Sequence, residues 1–213
     1  MKKNLFFFPF IFLLTACECG PSISLGSFFL AEESKAFVPY TGNDTLIFED
    51  QNGAIHRLTA PKGREVFSSN LTIRELCQNG LFDVQTEYFE SDREQVAFYD
   101  SLNNFIFYTD LIVRAQPIDT MGTVAIYDYL AVDGNLNSAS LRTLEIVTLE
   151  RENTSTQVSS QMIGDTVLYG QSFEQVYQSN PTGAATFYYN ITKGVVALKV
   201  DESNYWVLRE IIR

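Results

Sequence analysis

Residues 96–108 read VAFYDSLNNFIFY, and this stretch decides the fold. Val96–Tyr99 and Phe105–Tyr108 are apolar runs rich in aromatic and β-branched residues, the side chains that suit a pleated, half-buried strand. Asp100 opens the connection between them, where its carboxylate can accept from turn amides. Asn104 closes it, where a residue tolerant of positive φ is needed. The same idiom recurs as LIFEDQNGAIHRL (46–58) and LKVDESNYWVL (198–208). Each is an apolar strand, an aspartate, a few turn formers and a second apolar strand, and each reads as a β-hairpin. Nothing outside the hairpins recurs at a fixed period, so they are not domain repeats.

Working outward, period-two alternation broken by Asn, Asp and Gly turns continues along most of the chain. Further strands are expected in SLGSFFL (24–30), LFDVQTEYFE (81–90), GTVAIYDYLAV (122–132), LRTLEIVTLE (141–150) and TFYYNIT (186–192). In the fourth of these, Leu144 and Ile146 share one face with Arg142 and Thr148, and Thr143, Glu145 and Val147 share the other, so the pattern leaves its buried side open. Two segments compete for helix: Thr72–Gln78, with a threonine cap and apolar spacing of three to four, and QSFEQVYQS (171–179), short enough to be a strand. The expected fold class is all-β, an antiparallel meander of about ten strands forming a sandwich or a strongly curved sheet or barrel.

The N-terminus carries a different signal. Lys2 and Lys3 precede an apolar run from Leu5 to Leu14, interrupted by Pro9 and closed by Thr15 and Ala16. That is the anatomy of a secretory signal, and at roughly 10 residues the run is too short to span a bilayer core, which needs about 20. Leu14-Thr15-Ala16-Cys17 resembles the bacterial lipobox, and the chain is similar to all-β lipoproteins of Gram-negative bacteria. The resemblance implies removal of residues 1–16 and diacylglycerol on the Cys17 thiol; the remaining chain, long enough for one core and divided by no Pro/Ser/Gly-rich linker, reads as a short tether over 17–22 and one β domain over 23–213. Two or three acyl chains anchor durably, at about 0.8 kcal/mol per buried CH₂. Glu18 is not the aspartate that retains many such proteins in the inner membrane. The expected location is therefore the cell envelope at the outer membrane, with its face undecided. With Cys17 acylated, Cys19 and Cys77 are left as an even pair in an oxidising compartment, and a disulfide between them is expected. The competing reading is two unrelated thiols, with Cys77 buried as a small hydrophobe.

Charge and composition exclude whole classes of partner. The chain carries a net charge of −11 and no basic stripe, which disfavours nucleic acid and anionic headgroups. Several-ligand zinc sites are excluded, since besides Cys17 only Cys19, Cys77 and His56 remain. No phosphate-cradling Gly-rich loop, calcium loop or nucleophile elbow is present, and neither a cofactor nor a catalytic residue is expected.

Three functional readings stand. In LFDVQTEYFESD, Asp83, Gln85 and Glu87 alternate onto one strand face with Phe89. Two carboxylates four residues apart on a strand are about 13 Å apart, beyond the roughly 5–9.5 Å used by glycosidases. A glycan hydrolase would need Asp110 or Asp128 from a neighbouring strand, and it ranks third. The aromatics supply a second reading. Phe105, Phe107, Tyr108, Tyr188, Tyr189 and Trp206 sit in clusters whose alternate residues face opposite ways, so some could wall a cavity for an apolar or saccharide ligand. In strand pattern and composition this resembles, in a general way, the half-barrels and barrels of lipoprotein carriers and lipocalin-like proteins. The leading reading is a membrane-anchored, non-enzymatic β module with an interaction or structural role and a protein partner. Finally, Asp44-Thr45, Asp100-Ser101, Asp119-Thr120 and Asp165-Thr166, each followed by an apolar residue, are similar to a motif that some bacterial O-glycosylation systems read, and are equally ordinary turn chemistry.

Overall fold

The structure is a computed structural model and describes residues 19–79, 83–102, 104–117, 124–136, 139–152, 160–179, 186–199 and 203–213. The leader, Cys17, Asp119, Thr120 and Asp201 lie outside the described residues. These residues form thirteen strands: β1 (Ile23–Phe28), β2 (Thr45–Asp50), β3 (Ile55–Thr59), β4 (Arg64–Asn79), β5 (Asp83–Asp100), β6 (Phe105–Pro117), β7 (Val124–Leu136), β8 (Ala139–Glu152), β9 (Gln161–Leu168), β10 (Gln171–Gln178), β11 (Thr186–Asn190), β12 (Gly194–Lys199) and β13 (Tyr205–Ile212). A single turn of helix, α1 (Glu32–Lys35), is the only helix among them.

The strands make one strongly curled sheet, a half-barrel, in the order β8-β7-β6-β5-β3-β2-β13-β12-β11-β10-β9. The curl follows from connectivity. Laid flat, eleven strands would span about 48 Å at ~4.8 Å per gap. Yet the two outermost strands are consecutive in sequence, and the chain from Glu152 to Gln161 can reach only about 31 Å. The backbone N–H of Glu145 on β8 donates to the Ser160 hydroxyl just before β9, at 2.5 Å.

Two of the hairpin idioms form with their turns, and the strands of the third pair. Asp50 Oδ1 accepts from the amides of Asn52 (2.8 Å) and Ala54 (2.9 Å), with Gly53 at φ +79°. Asp100 Oδ1 accepts from Leu102 N at 3.0 Å, with Asn104 at φ +47°. β12 and β13 pair as the third.

The expected helix at Thr72–Gln78 is corrected: those residues belong to β4, which pairs antiparallel with β5 from Arg64↔Val96 to Asn79↔Asp83. Local spacing lost to a long cross-strand ladder, accommodated by irregularities between Thr72 and Arg74 and between Glu75 and Cys77. QSFEQVYQ is strand β10, held by β9 and β11. Residues 83–90 of the strand expected at 81–90 and the Val96–Tyr99 run are two parts of the single strand β5.

The core lies on the concave face, where Phe98, Phe107, Leu111, Leu130, Leu144 and Phe187 are almost fully buried. Leu144 and Ile146 settle the buried side of β8. A second, smaller cluster of Ala125, Tyr127, Tyr129 and Ala131 lies on the opposite face of β7, with the Arg114 guanidinium 3.9 Å above the Tyr129 ring.

Beyond the barrel, the N-terminal half of β5 is flanked by β4 on one edge and by β1, running parallel, on the other. The result is a three-stranded arm. Its end is bridged by the Cys19–Cys77 disulfide, with Cα atoms 5.7 Å apart. Residues 21–22 lie along β5, since Gln85 Nε2 donates to Pro21 O (3.0 Å) and the Ser22 hydroxyl meets both Thr86 N and Oγ1 (3.1 Å each).

Candidate functional site

The three hairpins meet at one rim. Gln51, in the first turn, donates to Asn204 Oδ1 (3.0 Å) and accepts from Tyr205 N (3.2 Å) at the start of β13. The side chain of His56, on β3, reaches the second. Its Nε2 is 3.4 Å from Asp50 Oδ2 and its Nδ1 is 3.6 Å from Asp100 Oδ2. The ring also stacks on the Trp206 indole, with centroids 3.8 Å apart and planes 10° apart. The lone histidine of the chain thus joins the aspartates that open two turns to an aromatic that follows the third.

Burial pushes the Asp50 carboxyl up, but the amides of Ala54 and Asn52 and the His56 ring outweigh it and hold Asp50 below the ordinary aspartate value. The two carboxylates face opposite ring nitrogens, so the three side chains do not converge on one cation. No cluster of three His, Cys, Asp or Glu suited to a metal exists among the described residues. His56 is only 8% exposed. What the cluster does chemically is orient, fixing two turns to each other and to Trp206 on β13.

The six singled-out aromatics divide by face. Phe105, Phe107, Tyr189 and Trp206 belong to the core. Phe105 packs on Phe107 (5.9 Å) and edge-on to Trp206 (5.1 Å), and Phe107 stacks on Phe98 at 5.1 Å. The Tyr189 hydroxyl donates to Phe37 O at 2.5 Å. Tyr108 and Tyr188 are half-buried.

A groove of about 500 Å³ does exist elsewhere, lined by Gln171, Lys193, Leu208, Arg209, Ile211 and Arg213 among others. None of the six aromatics lines it. Sequence reasoning missed it because its walls come from β10, the β11–β12 turn and β13, which only the curl brings together.

The carboxylates considered for hydrolysis are held by arginines. Arg74 forks onto Glu87 (2.5 and 2.9 Å) and holds its carboxyl below the ordinary range, the opposite of what a general acid needs. Burial raises Asp110, which Arg93 contacts at 2.5 Å and partly offsets. Asp128, fully buried, accepts from Arg151 at 2.7 and 2.8 Å and from Ala31 N at 3.0 Å. The side chain of Asp83 lies outside the described residues.

Of the Asp-Ser/Thr motifs, the three described aspartates all serve turns or strand irregularities. Asp44 accepts from Thr41 and Gly42, Asp100 from Leu102, and Asp165 from Gln175 N. Comparison of the chain with protein-family models, with curated proteins and with solved structures returns no match.

Proposed function

We propose that this chain is an envelope lipoprotein, acylated at Cys17 and carried on the outer membrane, whose β domain is a rigid, non-enzymatic module that presents a surface to a protein partner. The observation that supports it best is the Cys19–Cys77 bridge, which joins the strand sheet to a point two residues from the proposed lipid. Such a junction suits a mount that holds a domain in a fixed attitude. Mutual packing of the core aromatics favours a module over a carrier, because a cavity of several hundred Å³ would need some of those rings turned toward a ligand.

A second reading, a saccharide carrier, draws on the groove beside Gln171, Lys193 and Arg209, whose polar lining could bind hydroxyl groups. Metabolic labelling with an alkyne fatty acid tests the leading reading. The wild-type protein should be labelled and sediment with membranes, and Cys17→Ala should be unlabelled. An unlabelled wild type would overturn it, and a sugar retained stoichiometrically through purification would shift the balance to the carrier.

A further inference from the structure

We infer that the free end of the β1–β4–β5 arm is a membrane-seating foot, a surface that enters the headgroup region of the bilayer holding Cys17, so that the half-barrel stands on its arm. The inference rests on the reading of Cys17 as acylated.

Distance carries the first step. Only Glu18 separates Cys17 from Cys19, so their Cα atoms lie within about 7 Å, and the Cys77 Cα is 5.7 Å from that of Cys19. The far end of β4 is therefore held within about 13 Å of the residue whose acyl chains enter the bilayer. The hydrogen bonds of Pro21 and Ser22 to β5 remove the remaining slack.

Surface chemistry carries the second. The same end exposes Ile23 (43%) and Leu25 (44%) on β1 and Leu76 (41%) beside Cys77. Ile23 is in register with Glu87, and Glu87 with Arg74, which places the three apolar side chains within one short stretch of the arm. Singly exposed apolar residues are ordinary. Three gathered at the place the anchor can reach form a patch whose natural cover is lipid. Arg74 is paired with Glu87 and Glu75 stands beside it, so the foot suits zwitterionic headgroups and gains nothing from anionic lipid.

Strand length then sets the attitude of the domain. β5 runs from Asp83 at the foot to Asp100 at the rim, about 56 Å at ~3.3 Å per residue. Leu102, 94% exposed in the turn after Asp100, and the His56 cluster point away from the bilayer.

The test uses the full chain, processed in cells, purified from membranes and reconstituted into phosphatidylcholine vesicles. Its intact mass is read first. Leu25→Trp, Leu76→Trp and Leu102→Trp are each compared with wild type in vesicles containing acyl-chain-brominated phosphatidylcholine, with Trp206 as common background. The foot predicts that the added tryptophans of L25W and L76W are quenched severalfold more than that of L102W, which behaves as in unbrominated vesicles. L25W stands on a different strand from the disulfide and serves if L76W disturbs it. An acylated protein whose tryptophans at 25 and 76 escape quenching overturns the foot and leaves the anchor intact. A mass without acyl groups overturns both.

Discussion

The imidazole of His56 lies flat on the indole of Trp206, 3.8 Å away, while its two nitrogens face Asp50 and Asp100. The chain has one histidine and one tryptophan, so each reports on the other. His56→Ala removes the stacked ring and leaves two carboxylates facing each other without the imidazole. The expected cost is roughly 2 kcal/mol, from lost stacking and hydrogen bonds, with a red shift in Trp206 emission. An unchanged emission maximum would show that the stack does not exist in solution.

Asp50 gives the cluster an acid-side signature. Its carboxyl sits below the ordinary value of 3.8, so folding favours the ionised form. That stability is fully present above the unfolded value and is lost as pH falls through the lowered folded one. Asp50→Asn keeps Oδ1 for the amides of Asn52 and Ala54 but removes the charge facing His56. At pH 7 the variant should be less stable by about 1 kcal/mol, and the gap should narrow in urea titrations near pH 3. A gap that is the same at both pH values contradicts the assignment.

The fold was legible where chemistry is local. Asp50, Gly53, Asp100 and Asn104 announced two of the turns, and they sit where turn chemistry requires. Thr72–Gln78 misled because its cap and spacing are local signals, and a cross-strand ladder closing a long hairpin overrode them. β9 escaped because its apolar residues fall in two adjacent pairs, Met162–Ile163 and Val167–Leu168, parted by Gly164, Asp165 and Thr166, instead of alternating. The approach of His56 to Asp100 was not readable at all, since register between distant hairpins is decided by the curl of the whole sheet. The disulfide was readable once Cys17 was read as acylated, which left Cys19 and Cys77 as the one remaining pair.

Asp128 and Arg151 hold the segment entering α1 against β7 and β8. Arg151 donates to both Asp128 oxygens and to Phe29 O at 2.6 Å, and Asp128 also accepts from Ala31 N. Asp128→Ala leaves Arg151 unpaired and an amide unsatisfied, at an expected cost of about 3–5 kcal/mol. Hydrogen exchange should accelerate first around residues 29–36. Acceleration spread evenly over the sheet would mean that the pair is not a local clamp.

Gly194 and Gly170 separate backbone strain from collision. Both have positive φ, +80° and +82°. A Cβ on Gly194 would strike the Tyr40 hydroxyl, which accepts from Val195 N at 2.7 Å, whereas nothing lies near one on Gly170. Gly170→Ala should cost about 1 kcal/mol and Gly194→Ala about 3. Equal shifts in thermal midpoint would place Tyr40 elsewhere.

The claim that a disulfide-fixed β module hangs directly from a lipid is tested most directly by one peptide. Trypsin digestion without reduction of the protein taken from membranes should yield residues 17–35 linked through Cys19–Cys77 to residues 75–93, with acyl groups on Cys17, as a single species in mass spectrometry. Recovery of residues 75–93 with a free Cys77 thiol, or of an N-terminal peptide in which Cys17 carries no lipid, would contradict the account.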